Sequence, residues 1–256
     1  MRELVQMWSN TRMVVLTAMC ASLYAAVLIP FMVVPLIPGV THFRPANALP
    51  VVCSFLFGPA AAWGAAFGNL IGDFFGGLGP GDFFGFIGNF LYALAPYRLW
   101  RACGAGDPLP RTIGGWALLL LVIATAGMLC AVTVGFGLHV LGFVPFTVLA
   151  NVVFVNNVVT SVVLAPALLG ILYPRVRRAR LLYVDLVAVR PQAALGRRAV
   201  AFAMVVAGAA AAFTLGNLAV TGAYLPSAVL ALPPNGRLAA VVLPALGVAC
   251  AGLLLL

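Results

Sequence analysis

Residues 113–137 read IGGWALLLLVIATAGMLCAVTVGFG, an uncharged run longer than the ~20 residues a helix needs to cross a bilayer. A segment inside a bilayer must satisfy its own backbone hydrogen bonds, which leaves helices or closed barrels. Barrel strands alternate apolar and polar residues. This run is apolar on every face, so it predicts a helix. Outward from it lie three more such runs: 13–36, 199–220 and 238–256. The whole chain of 256 residues is 64% hydrophobic and 7% charged. Soluble domains carry about 25% charged residues, so the sequence excludes a soluble fold and predicts an all-α integral membrane protein.

Eight helices are expected, over 13–36, 46–60, 61–77, 83–100, 113–140, 146–173, 199–220 and 238–256. The second and third are short, and Gly58-Pro59 separates them, because proline cannot continue a helical ladder. The net charge of +9 does not indicate nucleic acid. All 14 basic residues are Arg, and they flank the apolar runs as cytoplasmic loops do. Loops 98–112 and 174–198 are therefore expected to be cytoplasmic. Eight spans with a cytoplasmic N-terminus leave only Arg44 and Arg237 outside. Seven spans with the N-terminus outside expose Arg2, Arg12 and Arg237 instead. The chain thus divides into a six-helix membrane core (1–175), an Arg-rich cytoplasmic loop (176–198) and two additional C-terminal transmembrane helices (199–256).

Polar side chains inside a bilayer are costly and face bundle interiors or cavities. Here they concentrate in the core. Asn69 and Asp73 are four apart and share a helix face. Asn89 follows in the next helix, and Asn151, Asn156, Asn157 and Thr160 in the sixth. His42, Arg44 and Asp82 belong to the outer loops. Asparagines can simply bind helices together, but a carboxylate such as Asp73 needs a partner, a proton or water. Phe74, Phe75, Phe83, Phe84, Phe86, Phe90 and Tyr92 bracket loop 76–82, either as pocket walls or as an interfacial belt. Gly64, Gly68, Gly72 and Gly76 lay one smooth face along the third helix for close packing. In the first helix Ala18, Ser22 and Ala26 form one row of small residues, and Thr17, Ala21 and Ala25 the next.

Absent chemistry narrows the field. Without Lys there is no Walker A loop. No His-Glu zinc motif and no Gly-x-Ser-x-Gly elbow occur. The five cysteines have no metal-type spacing. The chain is not expected to be an enzyme or to carry a cofactor or metal.

The core resembles the substrate-binding S component of energy-coupling factor (ECF) transporters for vitamins and related micronutrients. The stretches that carry the resemblance are 17–26 (TAMCASLYAA), 43–50 (FRPANALP), 57–59 (FGP) and 68–77 (GNLIGDFFGG). The resemblance covers roughly residues 10–175. It implies a six-helix core that binds a small-molecule substrate near the outer face, in a bacterial or archaeal plasma membrane. It also implies a transmembrane coupling subunit and two cytoplasmic ATPases as partners, beside membrane lipid. The family's Ala-x-x-x-Ala coupling motif maps onto Ala21 and Ala25. Its ligand regions, taken with the polar and aromatic residues above, give as candidates His42, Arg44, Asn69, Asp73, Asp82, Phe84, Asn89, Asn151 and Asn156. The two last helices and the lack of Lys depart from the family's pattern. Alternative readings are a stand-alone secondary transporter driven by protons through Asp73, and a membrane enzyme or non-transporting assembly subunit. Flavins, thiamin-like pyrimidines, deazapurines and corrinoid fragments all suit the side chains present.

Overall fold

The 113–137 run lies inside one unbroken helix, Ile113–Val140. It belongs to a computed structural model that describes residues 2–37, 41–187, 194–222 and 225–256. The helices are α1 (Arg2–Gln6), α2 (Thr11–Leu28), α3 (Ala48–Phe57), α4 (Pro59–Gly76), α5 (Asp82–Ala102), α6 (Ile113–Val140), α7 (Phe146–Arg178), α8 (Tyr183–Leu186), α9 (Leu195–Thr221), α10 (Ser227–Leu230) and α11 (Pro234–Leu255). Among the described residues, five helical segments are long and apolar enough to cross a membrane: Thr11–Phe31, Ile113–Val140, Phe146–Leu186, Leu195–Thr221 and Pro234–Leu255. The protein is an all-α, multi-pass membrane protein. Val155, Val159 and Val163 along α7 are each more than half exposed. A continuous apolar surface of that kind faces lipid.

The α-helix expected over 13–36 stops at Leu28 and tightens into a 3-10 turn, Ile29–Val33. Pro30 lacks the N–H that a further α-turn needs. Beyond it, β1 (Pro35–Ile37) pairs antiparallel with β2 (Thr41–His42), a small hairpin that the apolar pattern hides. A second 3-10 turn, Pro45–Asn47, leads into α3.

Helix α3 is central. Nine of its ten residues are buried. It touches α2, α4, α5 and α7, and α6 closes the wall between α5 and α7. Gly58 joins α3 to α4 with φ +50°, a left-handed value that glycine adopts freely. A Cβ there would also strike the Tyr183 ring at 2.7 Å. Gly64 and Gly68 let α4 lie directly on α2, since a Cβ at either would meet α2 within 3.0 Å. Helices α9 and α11 pair with each other and rest on α6, with α9 also reaching α5 and α7.

The bundle has one Arg-rich end. There Arg98 Nη2 donates to Glu3 Oε1 at 2.6 Å, and Tyr97 donates to the same oxygen at 3.0 Å. Arg98 Nη1 donates to the Leu253 carbonyl. One arginine therefore ties the first helix to the last. Asn10 binds the Leu186 carbonyl, and Arg177 holds Asp107, on the same end. The α3–α4 turn also lies there, under Tyr183.

Candidate functional site

The opposite end contains a cavity of about 570 Å³. It lies over the start of α3, where the chain supplies polar residues from four directions. Arg44 and Asn47 come from the turn before α3, Asn69 and Asp73 from α4, Asn89 from α5, and Asn156 and Asn157 from α7. The other wall is apolar: Cys130, Val134 and Leu138 of α6, Leu149 and Val153 of α7, and Phe143.

Arg44 dominates the polar wall. Its Nη1 donates to Asn69 Oδ1 at 2.9 Å, and Asn69 Nδ2 donates to Asp73 Oδ2 at 2.5 Å. Asn69 thus stands between cation and carboxylate, which do not pair directly among the described residues. Arg44 Nε is buried and has no hydrogen-bond partner among them. Asn156 fastens the loop that carries Arg44: its Nδ2 donates to the His42 carbonyl at 3.2 Å, and its Oδ1 accepts from Arg44 N at 3.4 Å. Burial, and secondarily the Arg44 charge, hold the His42 imidazole below the usual histidine pKa. It is therefore neutral at pH 7. Asp82 accepts from Gly79 N at 2.7 Å, so it braces the glycine-rich rim rather than the interior.

A buried network forms the floor. Tyr24 Oη lies 3.0 Å from both Asn47 Oδ1 and Asn89 Oδ1. Asn47 Nδ2 donates to Asn157 Oδ1, and Asn89 Nδ2 to the Gly85 carbonyl. Tyr92 and Ser161 share a hydrogen bond at 2.7 Å, and Ser161 Oγ donates to the Asn47 carbonyl. The arrangement offers donors, acceptors and a flat apolar wall. No group of three or more His, Cys, Asp or Glu that could hold a metal occurs among the described residues.

His42, Arg44, Asn69, Asp73, Asp82, Asn89 and Asn156 all line this cavity. Phe84 does not. Its ring packs against Gly137, where a Cβ would sit 1.9 Å from the ring. Asn151 points the other way, out of the bundle, and donates to Asn217 of α9 at 2.7 Å. It stands two positions from both Leu149 and Val153, about 200° around α7 from the cavity face. Ala21 and Ala25 also differ from expectation. Both are buried, 5% and 3% exposed, on the side of α2 that meets α4. The other small row, Ala18, Ser22 and Ala26, is the exposed one. Sequence reasoning left Asn47, Asn157 and Tyr24 out of the site. The Asn156-Asn157 doublet was the available signal: neighbours on a helix lie about 100° apart, so both can edge one wide cavity.

Fold and site together define a multi-pass helical membrane protein with a polar cavity at one end and an arginine belt at the other. Residues 14–174 match the model of a family described as QueT transporter, well over half the chain. The chain belongs to the QueT transporter family. The match ends at Pro174, before α9 and α11. No curated protein and no solved structure shows a significant match.

Proposed function

We propose that this chain is the substrate-binding S component of an ECF-type importer, with ATP hydrolysis on partner chains. Its substrate is a small, flat, vitamin-like or heterocyclic micronutrient. The observation that carries this reading is the cavity, and within it the buried Arg44 Nε that no atom of the described residues satisfies. Buried donors are nearly always paired, and a ligand is the natural partner for this one. A volume near 570 Å³ falls in the ~300–1,000 Å³ range of small-molecule sites.

The helices cross eight times, as a core of six plus α9 and α11. Support comes from the ion pair and carbonyl bond that bring the first and last helices to one face through Arg98, since such a chain crosses an even number of times. The Arg-rich end is cytoplasmic, following the positive-inside rule, and the cavity opens outward. Partners approach the exposed row Ala18, Ser22 and Ala26 of α2, and the whole bundle reorients as a rigid body.

The test has two arms. Purified protein is screened by thermal shift against vitamins and their heterocyclic precursors. A tight ligand at about 100 times its Kd stabilises by about 2.7 kcal/mol. The chain is also isolated under mild detergent conditions from its native membrane. Co-isolation of a membrane coupling protein with two ATPases is expected. Substrate uptake by the purified chain alone, driven by a proton gradient, would sink the reading.

A further inference from the structure

The floor network holds one proton too few and one donor too many. Tyr24 has a single hydroxyl proton, yet it faces two carbonyl oxygens at 3.0 Å, Asn47 Oδ1 and Asn89 Oδ1. At the far end of the same chain of bonds, Asn157 Nδ2 is buried and faces only the weakly accepting Cys130 sulfur, with no oxygen or nitrogen partner among the described residues. An unsatisfied buried polar group is costly, and two in one network compound the cost. A side-chain amide has a second orientation of the same shape, with N and O exchanged. The question is which amides turn.

Turning Asn89 alone gives Tyr24 a second donor. It also sets Asn89 Oδ1 against the Gly85 carbonyl, which the Nδ2 group now contacts at 2.9 Å. Turning Asn47 alone sets its oxygen against Asn157 Oδ1. Turning Asn47 and Asn157 together resolves every contact. Tyr24 then donates to Asn89 and accepts from Asn47 Nδ2, while Asn157 Nδ2 donates to Asn47 Oδ1. Asn89 keeps its bond to Gly85. What remains over the cavity is Asn157 Oδ1, an acceptor, beside the Cys130 thiol that lines the same wall.

We infer that Asn157 presents its carbonyl oxygen to the cavity and is a specificity-determining residue that reads an N–H or O–H donor on the ligand. Tyr24 is its positioning residue: its one proton, committed to Asn89, fixes the direction of Asn47 and through it that of Asn157. The cavity then has a division of labour along its length. Arg44 supplies donors at the upper wall, and Asn157 an acceptor at the floor. A ligand that matches carries an acceptor edge and a donor edge on one flat body. Methylation of the donor edge abolishes the fit. This deepens the ligand-binding role proposed above, but the direction of the amides is a property of the unliganded chain and is testable without a ligand.

The experiment is NMR of the full-length, ligand-free protein in detergent, with Asn labelled in its side-chain amide and Tyr in its ring. Resonances are assigned by loss of single peaks in Asn47→Asp, Asn157→Asp and Tyr24→Phe. The expected result is a nuclear Overhauser contact from the Asn47 amide protons to the Tyr24 ring, with the Asn157 amide protons protected from solvent exchange. Asn47 amide protons that contact the Asn157 side chain and not Tyr24 would overturn the inference. So would Asn157 amide protons that exchange freely. Either result leaves the transport reading intact. Failure of that reading in the ligand screen would leave the amide directions as measured.

Discussion

Two arginines are drawn into this bundle, one at each end, and they are treated in opposite ways. Arg98 is closed. Glu3, Tyr97 and the Leu253 carbonyl occupy its guanidinium, and its side chain is 3% exposed. Arg44 is open. Its nearest partner is a neutral amide, its carboxylate stands one residue further off, and one of its nitrogens has nothing to donate to among the described residues. Burying a charge is expensive. At the closed end the chain meets that cost with its own groups and gains a clasp between its first and last helices. At the open end it leaves part of the cost unmet, which a bound molecule can supply.

The comparison is broken most directly at the clasp. Arg98→Met should lower the thermal stability of the detergent-solubilised protein by about 3–5 kcal/mol, the usual loss when one partner of a buried pair is removed. Arg44→Met should leave the unliganded melting temperature within a few degrees of wild type. Equal losses for the two variants would erase the distinction.

Binding reverses the order. Arg44→Met and Asp73→Asn should each weaken the ligand found by the screen by about 1.5–3 kcal/mol, the worth of a bond to a charged group, or roughly 10- to 150-fold. Titration calorimetry on monodisperse protein measures this. Arg98→Lys, which keeps the charge at the clasp, should bind normally. Unchanged affinity in both cavity variants would return them to the role of helix packing.

Acidification sharpens the picture at the rim. His42 is held below its ordinary pKa, so the neutral form is the one the fold favours. Its contribution is present at neutral pH and above, and is lost as pH falls through its lowered value. A protonated His42 would also stand beside Arg44. The His42 share of the unliganded protein's stability should therefore be flat from pH 8 to 7 and be lost below about pH 6.5, the unperturbed histidine value, as thermal melts would show. His42→Gln should reduce the decline.

The smallest effect is expected at Asn151. Its bond to Asn217 is an interhelical contact on the lipid side, and such bonds average about 0.6 kcal/mol. Asn151→Leu should cost about that much stability and leave ligand affinity unchanged.

Membrane class, the arginine belt and the break at Gly58 were legible in the sequence because each depends on local composition or on one residue's backbone freedom. Most of the cavity's polar lining was legible for a similar reason: charged and amide groups are too costly in a bilayer to be scattered idly. Phase was harder. Ala21 and Ala18 lie only about 60° apart around α2, yet one is buried and the other exposed, because the glycine row of α4 covers one of two adjacent, equally small rows. The same applies on α7, where Asn151 and Asn156 look alike in sequence and α9 claims the first. The hairpin Pro35–Ile37/Thr41–His42 was invisible, since an apolar run does not reveal where a helix yields to extended chain.

The brevity of α3 has a consequence for the path a substrate travels. Ten residues of helix rise about 15 Å, against a hydrocarbon core about 30 Å thick. On that arithmetic the helical column at the centre of the bundle spans about half a membrane's depth, and the cavity lies over its start. On the proposed outward-opening arrangement, a molecule resting on Asn47 and Asn157 would sit about midway across the membrane before any rearrangement. On the proposed rigid-body switch, reorientation must carry the occupied cavity itself to the other face, since α3 blocks passage beneath it.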